Sequence, residues 1–420
     1  MDKNTITGFL LIAVVMIVFM VTQKPDPEQL REQKRIQDSI QQVEADRARL
    51  KAEQAQKNAD FEKEEADVLA EFFGGGSTTL TDTTTVVEQD EEGVEEVKDV
   101  EEDSSAFKPA LENTDIEELV SIENDDLLIT VSTKGGWMHS AELKEFKRYD
   151  GDTLFLFKGN EARFNLELFN KRSVRLSTES QTFTPILSAD GRSLTMRLGY
   201  TDNQYIDYVY TLPESGYLVD FDIKVNGMAS ELHAESLQNF RLYWDQKLRQ
   251  QEKGRKFERR YTTIYYKYAG LDVNNMSENK DAKEEYSDPI HWFAFKDQFF
   301  TSTFIGDKPF NNTILSTKSI EDEGYLKDYA AEVWAPVSIA ENGELFAGFQ
   351  YYLGPVHYTS MKALNKDVPK NERLHLEKMV KLGWNWLSWI NKYFVIPIFN
   401  FFLSMGWSMG LIIFLLTLLV

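Results

Sequence analysis

Between about Ile116 and Leu376 the chain repeats short apolar–polar alternations separated by turn residues. Val219, Phe221, Ile223 and Val225 alternate with Asp220, Asp222, Lys224 and Asn226, the pattern of a half-buried strand. Phe164/Leu166/Leu168, Leu194/Met196/Leu198 and Ile206/Tyr208/Tyr210/Leu212 alternate in the same way. Lys134-Gly135-Gly136, Asp150-Gly151-Asp152, Ala189-Asp190-Gly191 and Glu341-Asn342-Gly343 mark turns between such segments. Helical periodicity is nearly absent. About 260 residues of this texture predict a mainly β fold, one large antiparallel sandwich over 116–380. Within it, the polar stretch from Asn274 to Asp288 reads as a long loop.

The pattern changes at Lys381. At about 100° per residue, Leu382, Trp386, Trp389, Ile390, Tyr393 and Phe394 fall on one side of a helix. Lys381, Asn385, Ser388, Asn391 and Lys392 fall on the other. This predicts an amphipathic helix over 381–405 whose rings suit the water–lipid boundary. After Pro397 the polarity drains away, and 406–420 reads as the start of a membrane span. As a helix that stretch rises only about 22 Å, against a hydrocarbon core of roughly 30 Å. The expectation is therefore a span continued in a longer membrane domain. The alternative is a tail anchor beginning near Val395, which Pro397, Asn400 and Ser404 make poor.

At the other end, Ile6 to Thr22 is about 17 mostly apolar residues, at the short end for a span. Phe19-Met20-Val21-Thr22-Gln23 offers no small-residue cleavage site, so 1–24 reads as an uncleaved signal anchor. Lys3 and the terminal amine against Asp2 are a weak positive-inside signal. Residues 25–73 are charged and mostly helix-prone. Ile36, Ile40, Val43 and Leu50 fit a 3.5 repeat that Arg47 and Lys57 interrupt, so a solvated stalk is expected and not a strong coiled coil. Residues 74–115, opened by Gly74-Gly75-Gly76, turn Thr-rich and then acidic, and read as a disordered linker.

Composition narrows the chemistry. A net charge of −22 argues against phosphate neutralisation, so nucleic acid is not an expected partner. The absence of cysteine excludes disulfides, thiolate zinc sites and a Cys nucleophile. Aromatics at 13% favour a β-rich body. His139, His233, His291, His357 and His375 lack metal-ligand spacing, and there is no HExxH or P-loop motif. The acidic run lacks the spacing of a calcium loop. Paired carboxylates from distant strands stay open. Trp292, Phe293, Phe295, Phe299 and Phe300 in HWFAFKDQFF read as a strand buried on both faces in preference to a sugar-stacking platform. No catalytic site, cofactor or metal is expected.

The order of features matches a known arrangement. An N-terminal anchor and linker precede a large sandwich, then Tyr352-Leu353-Gly354-Pro355-Val356-His357-Tyr358. A helix opening on Leu382-Gly383-Trp384 and Pro397-Ile398-Phe399 follows, and last comes SMGLIIFLLTLLV over 408–420. With HWFAFKDQFF and the stretch from Thr133 to Phe157, this resembles the YidC family of membrane protein insertases, in the Gram-negative form with a large periplasmic domain. The resemblance covers the anchor and the chain from about Glu118 to Val420. It implies a galactose-mutarotase-like β-supersandwich without mutarotase activity, flanked by transmembrane helices in a multi-pass protein of the bacterial inner membrane. It further implies five more spans around a hydrophilic groove whose cation attracts the polar part of a client, with no ATP site. Thr417 corresponds to a Thr of the first groove-lining helix, and the positive residue would fall directly after Val420. Nascent membrane proteins, Sec translocon components and the lipid bilayer are the implied partners. Two competing readings are a periplasmic carbohydrate epimerase or lyase on the same sandwich, and a two-anchor scaffold binding envelope proteins.

Overall fold

The structure, a computed structural model, describes residues 117–370, 372–383 and 385–419. The expected anchor, stalk and acidic linker lie outside these residues. Three antiparallel sheets carry the described chain. The first is a four-stranded meander, Leu119–Glu123, Leu127–Ser132, Met138–Lys147 and Thr153–Lys158. The second has ten strands. Its spatial order is Val273–Asn275, Thr263–Tyr268, Ile290–Lys296, Phe300–Phe310, Leu345–Pro355, Leu218–Asn226, Gln204–Thr211, Ser193–Thr201 and Thr184–Leu187, with Ser338–Ile339 added on Leu345–Pro355. The third has six, ordered Ala282–Tyr286, Thr313–Ser319, Tyr325–Pro336, Asn239–Arg249, Ala162–Phe169 and Arg175–Ser177.

The larger two sheets pack face to face through the alternating positions. Val219, Phe221, Ile223 and Val225 are fully buried at the centre of the ten-stranded sheet. Phe221 stacks on Tyr210 of its neighbour at 4.7 Å and meets Phe164 of the six-stranded sheet edge-on at 5.4 Å. Trp244 of the six-stranded sheet stacks on Phe295 of the ten-stranded sheet at 4.5 Å. Each such buried ring contributes on the order of 1.5–3 kcal/mol in transfer from water. Two phenols inside this core are hydrogen-bonded: Tyr210 donates to the Gly136 carbonyl at 2.9 Å, and the Tyr208 hydroxyl lies 2.8 Å from that of Thr178. The Gly135-Gly136 turn that presents this carbonyl has φ +77° and +70°, and a Cβ at Gly135 would lie 1.9 Å from the Trp137 ring. Only glycine fits there.

One stretch departs from the local pattern and another follows it. The Asn274–Asp288 stretch is not a continuous loop, because Ala282–Tyr286 pairs with Thr313–Ser319 as the edge of the six-stranded sheet. Lys283, Glu284 and Glu285 face solvent along it while Tyr286 is buried. A charged edge strand blocks further pairing and looks like a loop in sequence. The strand Ile290–Lys296 is buried on both faces, as its aromatic run predicts. Phe293 and Phe295 enter the main core. Trp292 and Ala294 enter a second cluster with Tyr265, Ile305, Tyr352, Met361, Leu376 and Met379.

Candidate functional site

That second cluster is where the sandwich passes the chain to its last helices. The strand Leu345–Pro355 ends at Gly354-Pro355, with Gly354 under the Tyr217 ring; a Cβ there would lie 2.6 Å from the ring. The Tyr352 hydroxyl donates to the Pro355 carbonyl at 2.8 Å and holds the bend. A short helix, Tyr358–Ala363, and a single turn, Leu376–Met379, then cover the outer face of the ten-stranded sheet with Met361, Leu376 and Met379. The Trp292 indole N–H donates to the Leu374 carbonyl at 2.8 Å, so a buried core tryptophan also pins this return. Asn365 joins the two ends of the cover: its carbonyl oxygen accepts from the His375 N–H at 3.2 Å, and its amide donates to Glu377 at 2.8 Å. Lys378 pairs with Asp272 and Lys381 with Glu278, and the Lys378 bond holds the Asp272 carboxyl below its ordinary range.

Leu382 lies half-buried before the first helical residue, and its carbonyl accepts from the Asn391 amide at 2.9 Å. The single amphipathic helix expected over 381–405 is built in three parts: α-helical Asn385–Ile390, a π-helical turn Asn391–Val395, and α-helical Ile396–Ser404. The cause is Pro397. Its ring has no N–H and collides with the carbonyl four residues earlier in a regular helix. The wide turn, closed by the Ile396 N–H on the Asn391 carbonyl, accommodates it. The extra residue in that turn also shifts the 100° projection, so residues on either side of it do not share one straight stripe. Trp386 lies in the first part. Trp389 and Tyr393 are 53% and 67% exposed with ring centroids 5.9 Å apart; Phe394 is exposed and Ile390 half-buried.

Gly406, at φ +81°, ends the third part, and Trp407 folds back on Phe402 at 4.7 Å. The helix Met409–Leu419 then leans on its predecessor through the fully buried Ile412. Between the two helices lies an apolar notch of about 500 Å³ lined by Pro397, Ile398, Phe401, Phe402, Leu415 and Leu416 among others. Met409, Leu411, Ile413, Phe414 and Leu418 are exposed, a contiguous apolar surface of the kind that marks an interaction face. Thr417 is exposed, and its hydroxyl donates to the Ile413 carbonyl at 2.7 Å, which spares it a solvent partner. Among the described residues no helix is long and apolar enough to cross a membrane. Met409–Leu419 alone rises about 16 Å.

A larger groove, about 910 Å³, separates this helical part from the sandwich. Phe146, Tyr217, Phe299 and Val356 line its sandwich side, and Val395, Phe399 and Leu403 its helical side. Asn400 spans it, donating to the Thr359 hydroxyl at 3.1 Å. These residues are far apart in sequence, and the local pattern points to none of them except Phe299. That ring is 48% exposed while the other aromatics of HWFAFKDQFF are buried. The histidines form no cluster: no group of three or more metal-ligating side chains occurs among the described residues. His291 is held down to about 4 by burial and by Lys267.

A large antiparallel β-supersandwich that hands its chain on to exposed apolar helices defines the class of protein. Residues 119–397 match the family model described as the YidC periplasmic domain. Membrane protein insertase YidC of Bacteroides fragilis is 36% identical over 427 residues, covering 100% of this chain and 61% of that protein. That of Parabacteroides distasonis is 33% identical over 426 residues, covering 100% and 62%. The chain belongs to the YidC family. It spans about three fifths of the length of these relatives. A galactose mutarotase related enzyme from Lactobacillus acidophilus aligns at TM-score 0.38 and 11% identity over 56% of this chain and 97% of that one. A likeness that loose carries no argument, and the fold rests on the sheets described above.

Proposed function

We propose that the protein is a membrane protein insertase and chaperone of the bacterial inner membrane, working without chemical catalysis. The observation that carries this reading is the junction. A rigid sandwich, matched to the YidC periplasmic domain, holds a helix with exposed Trp389, Tyr393 and Phe394 and then a helix with an apolar surface. In this reading 1–24 is a transmembrane anchor, 25–73 a stalk, 74–115 an acidic linker and 116–380 the periplasmic domain. Residues 381–405 lie in the water–lipid boundary and 406–420 open the membrane-embedded core. Thr417 lines the insertion groove. Its hydroxyl, bonded to its own helix, offers a polar contact without the cost of an unsatisfied group in lipid. Clients are nascent membrane proteins, handled alone or beside the Sec translocon.

The test is replacement in cells depleted of their own insertase. The whole protein carrying this region restores integration of a single-span reporter into the inner membrane. Normal expression with no restoration overturns the reading.

A further inference from the structure

The groove between the sandwich and the last helices has an apolar floor and a charged rim. The floor includes Phe299, Phe399 and Leu403. The rim includes Glu145 and Lys147, both exposed, and the half-buried Glu252. Among the described residues none of these three carries an ion pair. One cation and two anions thus stand at its mouth, free to meet a charged ligand. Its volume, about 910 Å³, lies in the range of small-molecule sites, roughly 300–1,000 Å³.

The groove also has a way in. Leu403 and Met409 line the groove and are 39% and 60% exposed, so its floor is continuous with the apolar helical surface of Leu411, Ile413 and Phe414. Whatever apolar medium covers that surface has an unbroken path to Phe299. We propose that the groove binds one phospholipid of the zwitterionic ethanolamine class: an acyl chain on Phe299, Phe399 and Leu403, the phosphate at Lys147, and the ammonium at Glu145 and Glu252. A single cation flanked by carboxylates matches a headgroup carrying both charges. A purely anionic headgroup would meet two like charges there. The bound lipid fills the space between sandwich and helix and fixes the height of the sandwich over the bilayer.

This inference rests on the membrane reading above, and its test separates the two. Benzoylphenylalanine is placed at Phe299 and, separately, at Tyr393 in the full chain. Each protein is reconstituted in vesicles of equal phosphatidylethanolamine and phosphatidylglycerol, irradiated and analysed by intact mass. The expected result is a lipid adduct at both positions, with phosphatidylethanolamine enriched more than threefold over phosphatidylglycerol at 299 alone. Lys147→Ala brings the ratio at 299 back to that of the vesicle. Lipid at 393 with none at 299, or an unbiased ratio at 299, overturns the groove proposal and leaves the membrane reading standing. When a single-span client is present, a peptide adduct at 299 in place of lipid overturns it in favour of a protein occupant. No lipid at either position overturns the membrane reading and this proposal with it.

Discussion

At the scale of single residues, positions inside the YLGPVHY segment set the junction. What Gly354 requires is room, because the Tyr217 ring lies where a Cβ would go. Gly354→Ala therefore forces Tyr217 off its site, and overpacking of this kind costs about 1–3 kcal/mol. Chemical denaturation in mild detergent should show that loss, and in a Tyr217→Ala background the same substitution should cost little. Undiminished loss in the double variant would place the strain elsewhere. Trp292 belongs with Gly354. Its burial was legible, but its indole N–H reaches the Leu374 carbonyl, 82 positions away, and no local pattern encodes that partner.

At the scale of elements, the short helix Arg255–Arg260 closes one end of the core with a buried carboxyl. Glu258 accepts from the Gln251 and Glu252 N–H groups at 2.8 and 3.1 Å, which favours its charged form. Burial and the neighbouring Asp297 outweigh them and push it up to about 8. Its folded value stands above its ordinary one, so its contribution to stability is present at low pH and is lost as pH rises through about 8. His291, held down to about 4, acts in the opposite sense, costing stability as pH falls from about 6.5. Asp297, raised to about 6, has largely titrated below that point. Lys296 and Lys327, held down to about 8 by burial, oppose it near and above that value, so Glu258 dominates the slope between pH 6.5 and 7.5. Over that window the melting temperature of the native chain should fall with pH, and Glu258→Gln should flatten the slope. Equal slopes would assign the window to another group.

The helical elements show how far a periodicity argument reaches. The run from Leu382 to Phe394 has the composition of a boundary helix, and Trp389, Tyr393 and Phe394 are exposed. Leu382 precedes the helix, and the π-helical turn before Pro397 breaks the projection into two phases. A helical wheel assumes 3.6 residues per turn throughout, so it cannot register a turn widened by a proline that follows it.

At the scale of the whole molecule, the sandwich acts as a mount. Its second core cluster ties Tyr358–Ala363 and Leu376–Met379 to the outer face of the ten-stranded sheet, and so determines where the last helices leave. Scrambling Leu382 to Phe394 at constant composition should leave the melting of the sandwich unchanged, because its cores end at Val380. The same change in the whole protein should cut reporter insertion more than tenfold. Equal activity after scrambling would remove the helix from the mechanism.

The class of fold and the interior face of its clearest strands are legible in the sequence, and it also marks the points where the backbone must turn. Side-chain direction in a strand has a period of two, so Val219, Phe221, Ile223 and Val225 declare their burial locally. It also determined the turn at Gly135-Gly136, where backbone conformation restricts residue type, and the change to apolar helices after Lys381. Packing across the fold set what covers the second face of Ile290–Lys296, the edge strand hidden in a polar stretch, and the groove. The groove is lined by Phe146, Tyr217, Phe299, Val356 and Phe399, which come together because the sheets and a returning chain close around one another. A residue's neighbours across such a closure are set by packing, and packing has no period along the chain.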